Sequence, residues 1–160
     1  MILHLGCGDK PTLNQPAVNV DVRPLRGVDV VRDLNDLPWP WKDGEFDKVE
    51  ATDILEHLAD VVATVEEIWR VLESGGMLWI RGPHQFGRNW LADPTHQRAF
   101  NEFSFDYLDP HLPNGQSLGY LTDCKFRVLQ AERDGDDVVF LLKKMLPEDY
   151  EESKRDFEFE

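Results

Sequence analysis

Apolar residues come first in short runs and only later in a helical stripe. Residues 2–5, 17–22, 29–32, 48–51 and 77–81 each hold a brief apolar run bounded by Gly, Pro or Asp. That is the pattern of central strands covered on both faces. Between the fourth and fifth runs the period changes. Ile54, Leu58, Val61, Val65, Ile68 and Leu72 recur at intervals of three and four, and Gly75-Gly76 follows, so the spacing predicts one amphipathic helix over 54–72. Two further runs, 125–132 and 137–145, flank Arg133-Asp134-Gly135-Asp136, a hairpin signal. The stretch 83–119 is rich in Pro, His and aromatic residues and predicts one short helix at 101–107. Five βα-like units followed by a hairpin imply an α/β fold with a mostly parallel, twisted sheet and an antiparallel hairpin at its edge. No internal repeat or low-complexity segment is present.

Composition narrows the function classes. The 160 residues suit one domain, 1–146, followed by an acidic segment, 147–160, that is expected to fray. No apolar run approaches the ~18 residues of a membrane span, and no basic or apolar leader precedes the first strand. A cytoplasmic protein is expected. Cys7 and Cys124 stand far apart with no motif spacing, which reads as two free thiols in a reducing compartment. A formal charge of −14 repels phosphate backbones, and no basic stripe offsets it, so neither nucleic acid nor membrane is an expected partner.

The candidate chemistry begins in the first strand. Leu3-His4-Leu5 runs into Gly6-Cys7-Gly8, a glycine turn that lets backbone N–H groups approach a ligand. The second strand, Val18-Asn19-Val20-Asp21-Val22, reaches a carboxylate, the group that accepts both hydroxyl hydrogens of a ribose. A nucleoside-bearing cofactor follows. A dinucleotide fingerprint needs Gly or Ala at position 11, where this chain has Pro. Only twelve residues separate Gly8 from Asp21, too few for a full crossover helix, so the first helix is reduced to one turn or a loop.

The runs Asp33-Leu34-Asn35-Asp36-Leu37-Pro38, Asp43-Gly44-Glu45-Phe46-Asp47-Lys48-Val49, Asp53-Ile54-Leu55-Glu56-His57-Leu58 and Arg70-Val71-Leu72-Glu73-Ser74-Gly75-Gly76-Met77-Leu78 closely resemble the class I S-adenosylmethionine-dependent methyltransferases. Within them the chain is similar to the type-11 branch, in particular to short members with a truncated first helix. The likeness spans residues 3–83 and implies a Rossmann-like fold with S-adenosylmethionine as cofactor. Carried over residue by residue, it implies that Gly6, Cys7 and Gly8 pass under the methionine part. Asp21, with Val22 beside it, would accept the ribose hydroxyls, and Asp33 with Leu34 would meet the adenine. Ala51, Thr52 and Asp53 would lie near the methionine amino group and the sulfonium, and Lys10 or Arg23 would pair with the cofactor carboxylate.

Plainer roles compete for several of these residues. Asp33 before a Leu-Asn-Asp turn also reads as a cap. Asp53 and Glu56, spaced Asp-x-x-Glu ahead of the predicted helix, read as a capping box, and His57 as a locally bonded residue in the first turn. Trp39 and Trp41 read as edge packing or one side of the adenine pocket, and Trp69 as core. The 83–119 segment leaves the end of the fifth strand, where ligands of open α/β sheets collect. It holds His84, His96 and His111 with Phe86, Trp90, Phe100, Phe103, Phe105 and Tyr107. These aromatics either wall a pocket or form a satellite core. The histidine spacings match no common ligand pattern, and no metal is expected.

Asp93-Pro94-Thr95-His96 with Arg98-Ala99-Phe100 resembles a pattern of the same short methyltransferases. It ranks His96 first, His84 second and Asp53 third as the base for an acceptor that must lose a proton. The leading expectation is a methyltransferase for a small-molecule or glycan-type acceptor, through oxygen or nitrogen. The second is a cofactor-binding domain without turnover, completed as a homodimer or by a partner subunit. A nicotinamide dehydrogenase is disfavoured by Pro11 and by Leu34-Asn35-Asp36-Leu37-Pro38.

Overall fold

The computed structural model describes residues 1–146, 148 and 149. The rest of the acidic segment, for which fraying is expected, lies outside the described residues.

Seven strands form one sheet: β1 (Ile2–Leu5), β2 (Ala17–Asp21), β3 (Val30–Val31), β4 (Phe46–Thr52), β5 (Leu72–Pro83), β6 (Phe126–Asp134) and β7 (Asp137–Lys144). Their order is β3-β2-β1-β4-β5-β7-β6. The first five pair in parallel, and β7 runs antiparallel to both β5 and β6. The Rossmann-like sheet with its antiparallel terminal hairpin is as expected. Gly135, at φ +65°, supplies the left-handed residue that the β6–β7 turn requires. In β1 every residue is buried, His4 included, so the strand is covered on both faces.

The five βα-like units are not realised. Among the described residues, a single α-helix, α1 (Val61–Val71), joins two parallel strands. The β1–β2, β2–β3 and β3–β4 connections are loops carrying Pro11, Pro16, Pro24, Pro38 and Pro40, which remove the donors a helix interior needs. The truncated first helix is therefore a loop.

The predicted helix over 54–72 also breaks. A 3-10 turn at Leu55–His57 ends in extended backbone at Leu58, and α1 starts afresh behind Asp60, whose side chain accepts from the Ala63 N–H. Outside groups take the backbone atoms freed by the break. Asn35 Oδ1 accepts the Ala59 N–H at 2.9 Å, and Arg98 donates to the carbonyls of Leu55, Leu58 and Ala59. Periodicity alone does not reveal a break whose partners lie far along the chain.

The 83–121 segment contains α2 (Arg88–Ala92) and α3 (Pro113–Leu118), neither anticipated, with 3-10 turns at Asp106–Leu108 and Gly119–Leu121. At 101–107 there is no α-helix; turns lead into the first of those 3-10 segments. Phe100, Phe105, Tyr107 and Leu108 join the main hydrophobic core, so half of the aromatic residues of 83–119 are neither pocket wall nor separate core. The Phe105 ring stacks on Phe100 at 5.6 Å and meets Phe140 of β7 edge-on at 4.8 Å, geometries that add to area burial. Trp39 is buried rather than at an edge, its indole donating to the Leu34 carbonyl, and Trp41 sits edge-on between Trp39 and Phe46. Trp69 packs against the core as expected. Both cysteines are free thiols.

Candidate active site

The parallel strands converge on two clefts that share the 53–58 segment. The first, of about 240 Å³, is lined by Gly6, Asp21, Val22, Arg32, Asp33, Leu34, Asn35, Ile54, His57 and Leu58. It begins at the glycine turn. Gly6 has φ +62°, and a Cβ there would lie 2.7 Å from Ile54 Cγ1, so a side chain would both strain the backbone and displace the cleft wall. Gly8 donates its N–H to Asp21 Oδ2 at 2.9 Å, while the Arg23 N–H and Nε reach Oδ1 at 2.9 and 3.1 Å.

Burial works to raise the Asp21 pKa, but the Arg23 and Gly8 hydrogen bonds outweigh it and hold the carboxyl below the usual range. Three of the four lone-pair positions of this carboxylate are filled, leaving Oδ2 able to accept one more hydrogen bond. Exposed Arg23 Nε occupies another that a ligand hydroxyl can take. On the opposite wall, Asp33 Oδ1 accepts from the Asn35 N–H and side-chain amide. Asp33 thus caps its turn and lines the cleft at once. Apolar faces from Leu34, Ile54 and Leu58 complete a slot suited to a flat heterocycle.

Other expected cofactor residues stand outside this lining. Cys7 is buried, its N–H bound to the Val20 carbonyl; burial and then Asp21 push its thiol pKa up. Gly8 shapes the turn, Lys10 is exposed, Ala51 is fully buried, and Thr52 ends β4. Arg32, Asn35, Ile54, His57 and Leu58 line the cleft without having been singled out for it. They lie in or beside the segments 33–38 and 53–58, and a side chain's direction at a turn has no sequence signature.

The second cleft, of about 270 Å³, is lined by Asp53, Glu56, Pro83, Asn89, Ala92, Asp93, His96 and Asp137. Asp53 adopts φ +53°, a left-handed conformation uncommon outside glycine but tolerated by Asp. Its carboxylate meets Arg81 Nη1 at 2.8 Å, and Arg81 also pairs with Asp137, whose Oδ1 accepts from Asn89 at 2.9 Å. Burial raises the Asp53 pKa against the pull of Arg81.

No capping box forms. The 3-10 turn has Ile54 at its N-cap with no side-chain bond. Glu56, 1% exposed, instead faces the cleft with Oε2 unpartnered among the described residues. Burial, aided by Asp53 and Asp137, pushes its pKa up to about 7.

The strap 93–98 carries His96 into this cleft. Gln97 donates its N–H to the Glu56 carbonyl and its amide to the His57 carbonyl, both at 2.8 Å, beside the Arg98 contacts. His96 stacks on Trp90 at 6.2 Å, and its Nδ1 lies 3.2 Å from the Trp90 carbonyl. A carbonyl only accepts, so Nδ1 carries the hydrogen and Nε2 keeps its lone pair. That Nε2 lies 3.9 Å from Glu56 Oε1 and 4.0 Å from Asp93 Oδ2. His84 lies elsewhere, buried, with Nδ1 accepting from the Phe86 N–H and Nε2 3.4 Å from Glu102. His111 pairs with Asp109 away from both clefts.

Residues 3–80 match the family model described as a methyltransferase domain. No curated protein matches the chain in sequence. Among solved structures, an S-adenosylmethionine-dependent methyltransferase of Archaeoglobus fulgidus is 15% identical, with 89% of this chain and 85% of that one aligned at a TM-score of 0.61. A chain from the Haloferax volcanii complex of the Trm112 methyltransferase activator is 13% identical over 91% and 82%, with a TM-score of 0.65. The [4+2]-cyclase SpnF is 17% identical over 91% and 74%, at 0.56. At such identities the structures speak for the fold, while the family match falls on the strands and turns that build the first cleft. The chain thus matches a methyltransferase domain over residues 3–80 and shares its fold with solved S-adenosylmethionine-dependent methyltransferases.

Proposed function

We propose that the first cleft holds the adenosyl group and that the second receives a small-molecule or glycan-type acceptor, methylated on oxygen or nitrogen. The bound cofactor would supply a methyl group already activated on a sulfonium. The chain's task is then to align, to exclude water and to handle a proton. Asp21 Oδ2 takes one ribose hydroxyl, and the second replaces Arg23 Nε on Oδ1. Asp33 and Leu34 meet the adenine. Asp53, at the junction of the clefts, is held in its left-handed conformation facing the acceptor side.

The observation that carries the reading is His96. Its Nδ1–H is committed to a backbone carbonyl, so the Nε2 lone pair faces the acceptor cleft, oriented to accept a proton from a hydroxyl or ammonium group. His84 spends both nitrogens away from the clefts, so we set it aside as a base.

The test is methyl transfer from S-adenosylmethionine to a panel of hydroxyl- and amine-bearing metabolites and sugars. The expected outcome is turnover that His96→Gln lowers by about 10²- to 10⁴-fold with affinity for S-adenosylhomocysteine retained. Cofactor binding with no turnover across the panel would favour the second reading, a binding or partner domain. That reading is given weight by a fold shared with a cyclase, since a shared fold does not fix the reaction.

A further inference from the structure

Glu56, His57 and His96 approach one another where the two clefts meet. One ligand-type atom from each, a carboxylate oxygen or a ring nitrogen, lies within 4.8 Å of the other two. The His57 and His96 rings sit edge to face at 4.7 Å. We propose that these three residues bind a divalent transition-metal ion of the zinc type, leaving coordination positions open toward the acceptor cleft.

Hydrogen bonding fixes both histidines in one tautomer. The Thr95 hydroxyl donates to Asp93 Oδ1 at 2.7 Å, so toward His57 Nδ1, 3.0 Å away, it acts as acceptor. His57 Nδ1 therefore carries the hydrogen, as His96 Nδ1 does against the Trp90 carbonyl. Among the described residues neither Nε2 is taken by a hydrogen bond, while the other nitrogen of each ring is anchored, the arrangement in which a histidine binds a metal.

Glu56 supplies the independent observation. It is 1% exposed, lines the cleft, and leaves Oε2 without a partner among the described residues. An orphaned carboxylate this deep is costly unless a cation or a donor compensates it. The remaining charges sharpen the choice. Arg81 is already shared between Asp53 and Asp137, and Asp93 faces His96 at 4.0 Å, so the surroundings of Glu56 are short of positive charge.

Two imidazoles and one carboxylate form a borderline donor set that suits Zn²⁺ and Co²⁺ better than Mg²⁺ or Ca²⁺. Ligand atoms on a tetrahedral ion stand ~3.4 Å apart, as bond lengths of about 2.1 Å dictate. The present atoms lie within 4.8 Å of one another, so side-chain rotation must shorten the longest separation by up to about 1.4 Å to reach that spacing. An acceptor oxygen on the open positions would sit beside the methyl donor with its acidity raised. With the ion bound His96 would assist deprotonation through it, and in the ion-free chain its Nε2 takes the proton directly. This catalytic use rests on the methyl-transfer reading, but ion binding itself does not.

The test titrates the full chain, stripped with chelator, with Zn²⁺ by calorimetry and with Co²⁺ by visible absorption. S-Adenosylhomocysteine is titrated separately. The proposal expects one ion per chain and tetrahedral-type Co²⁺ bands. It also expects the imidazole nitrogen resonances of His57 and His96 to shift at stoichiometric Zn²⁺, a readout on the unmodified protein. Glu56→Gln and His96→Ala should each weaken binding by about tenfold or more, while His111→Ala leaves it unchanged. Absence of saturable Zn²⁺ binding, or binding that leaves the His57 and His96 resonances in place, would overturn the metal site. S-Adenosylhomocysteine binding without ion binding would overturn it and leave the methyltransferase reading intact.

Discussion

The two clefts share a wall yet treat their charges in opposite ways. In the first cleft the principal carboxylate, Asp21, is tied by three hydrogen bonds to the turn it stabilises, and its pKa is held down. In the second cleft Glu56 is more deeply buried, lacks a partner for one oxygen among the described residues and has its pKa pushed up to about 7. The first site is preformed by local backbone geometry. The second depends on a distant strap, 93–98, and holds polar groups that only a ligand, an ion or a proton can satisfy. A site that recognises an invariant cofactor can be built from satisfied groups, whereas a reacting site keeps unsatisfied ones.

Four tests probe this contrast in descending order of effect, the first of them paired with a control substitution. Phe105→Ala removes the fully buried ring that roots the strap's segment in the core, and should cost about 3 to 5 kcal/mol in a denaturant melt. Phe103→Ala, at a ring 66% exposed, should stay within about 0.5 kcal/mol. Equal losses would deny that the segment is part of the core.

Arg98→Ala deletes a half-buried guanidinium that donates to three carbonyls at the helix break. About 2 to 3 kcal/mol should be lost, and activity should fall further than affinity for S-adenosylhomocysteine. If cofactor affinity falls equally, the clefts are not separable. Asp21→Ala should weaken S-adenosylhomocysteine binding by about 1 to 3 kcal/mol in calorimetry, roughly 5- to 150-fold.

The smallest effect is on pH. Burial works to raise the Glu67 pKa, but bonds from Arg70 and the Trp39 N–H outweigh it and leave it below its ordinary value. A depressed carboxyl contributes stability that is complete above its unfolded pKa and is lost as pH falls through the folded one. Melts should therefore show a loss beginning below about pH 4.5, and Glu67→Gln should flatten it. An unchanged slope in that variant would remove Glu67 as the cause.

Strands and the terminal hairpin were legible in the sequence because each rests on a local signal: an apolar run, a glycine, a two-residue turn. The glycine turn, Asp21, Asp33 and Leu34 were legible through the same locality and through family resemblance. What escaped was non-local. The break at 58–60 needs Arg98 and Asn35 to take its backbone groups, and neither is near in sequence. Glu56 follows the spacing of a capping box, yet its 3-10 turn has Ile54 rather than Asp53 at the N-cap, so that box does not close and the side chain goes to the cleft. His57 was placed in a helical turn, but Thr95 of the strap orients it. His84 and His96 look alike in composition, and only the atoms facing each ring nitrogen separate them.

The account stands on the first cleft receiving an adenosyl group. Calorimetric titration of the full chain with S-adenosylhomocysteine and, in parallel, with NAD tests it most directly, with amide resonances recorded at saturation. The account predicts saturable one-to-one binding of S-adenosylhomocysteine alone, with the amides of Gly6, Gly8, Leu34 and Asn35 shifting. No heat of binding, stronger binding of NAD, or shifts confined to residues outside that cleft would contradict it.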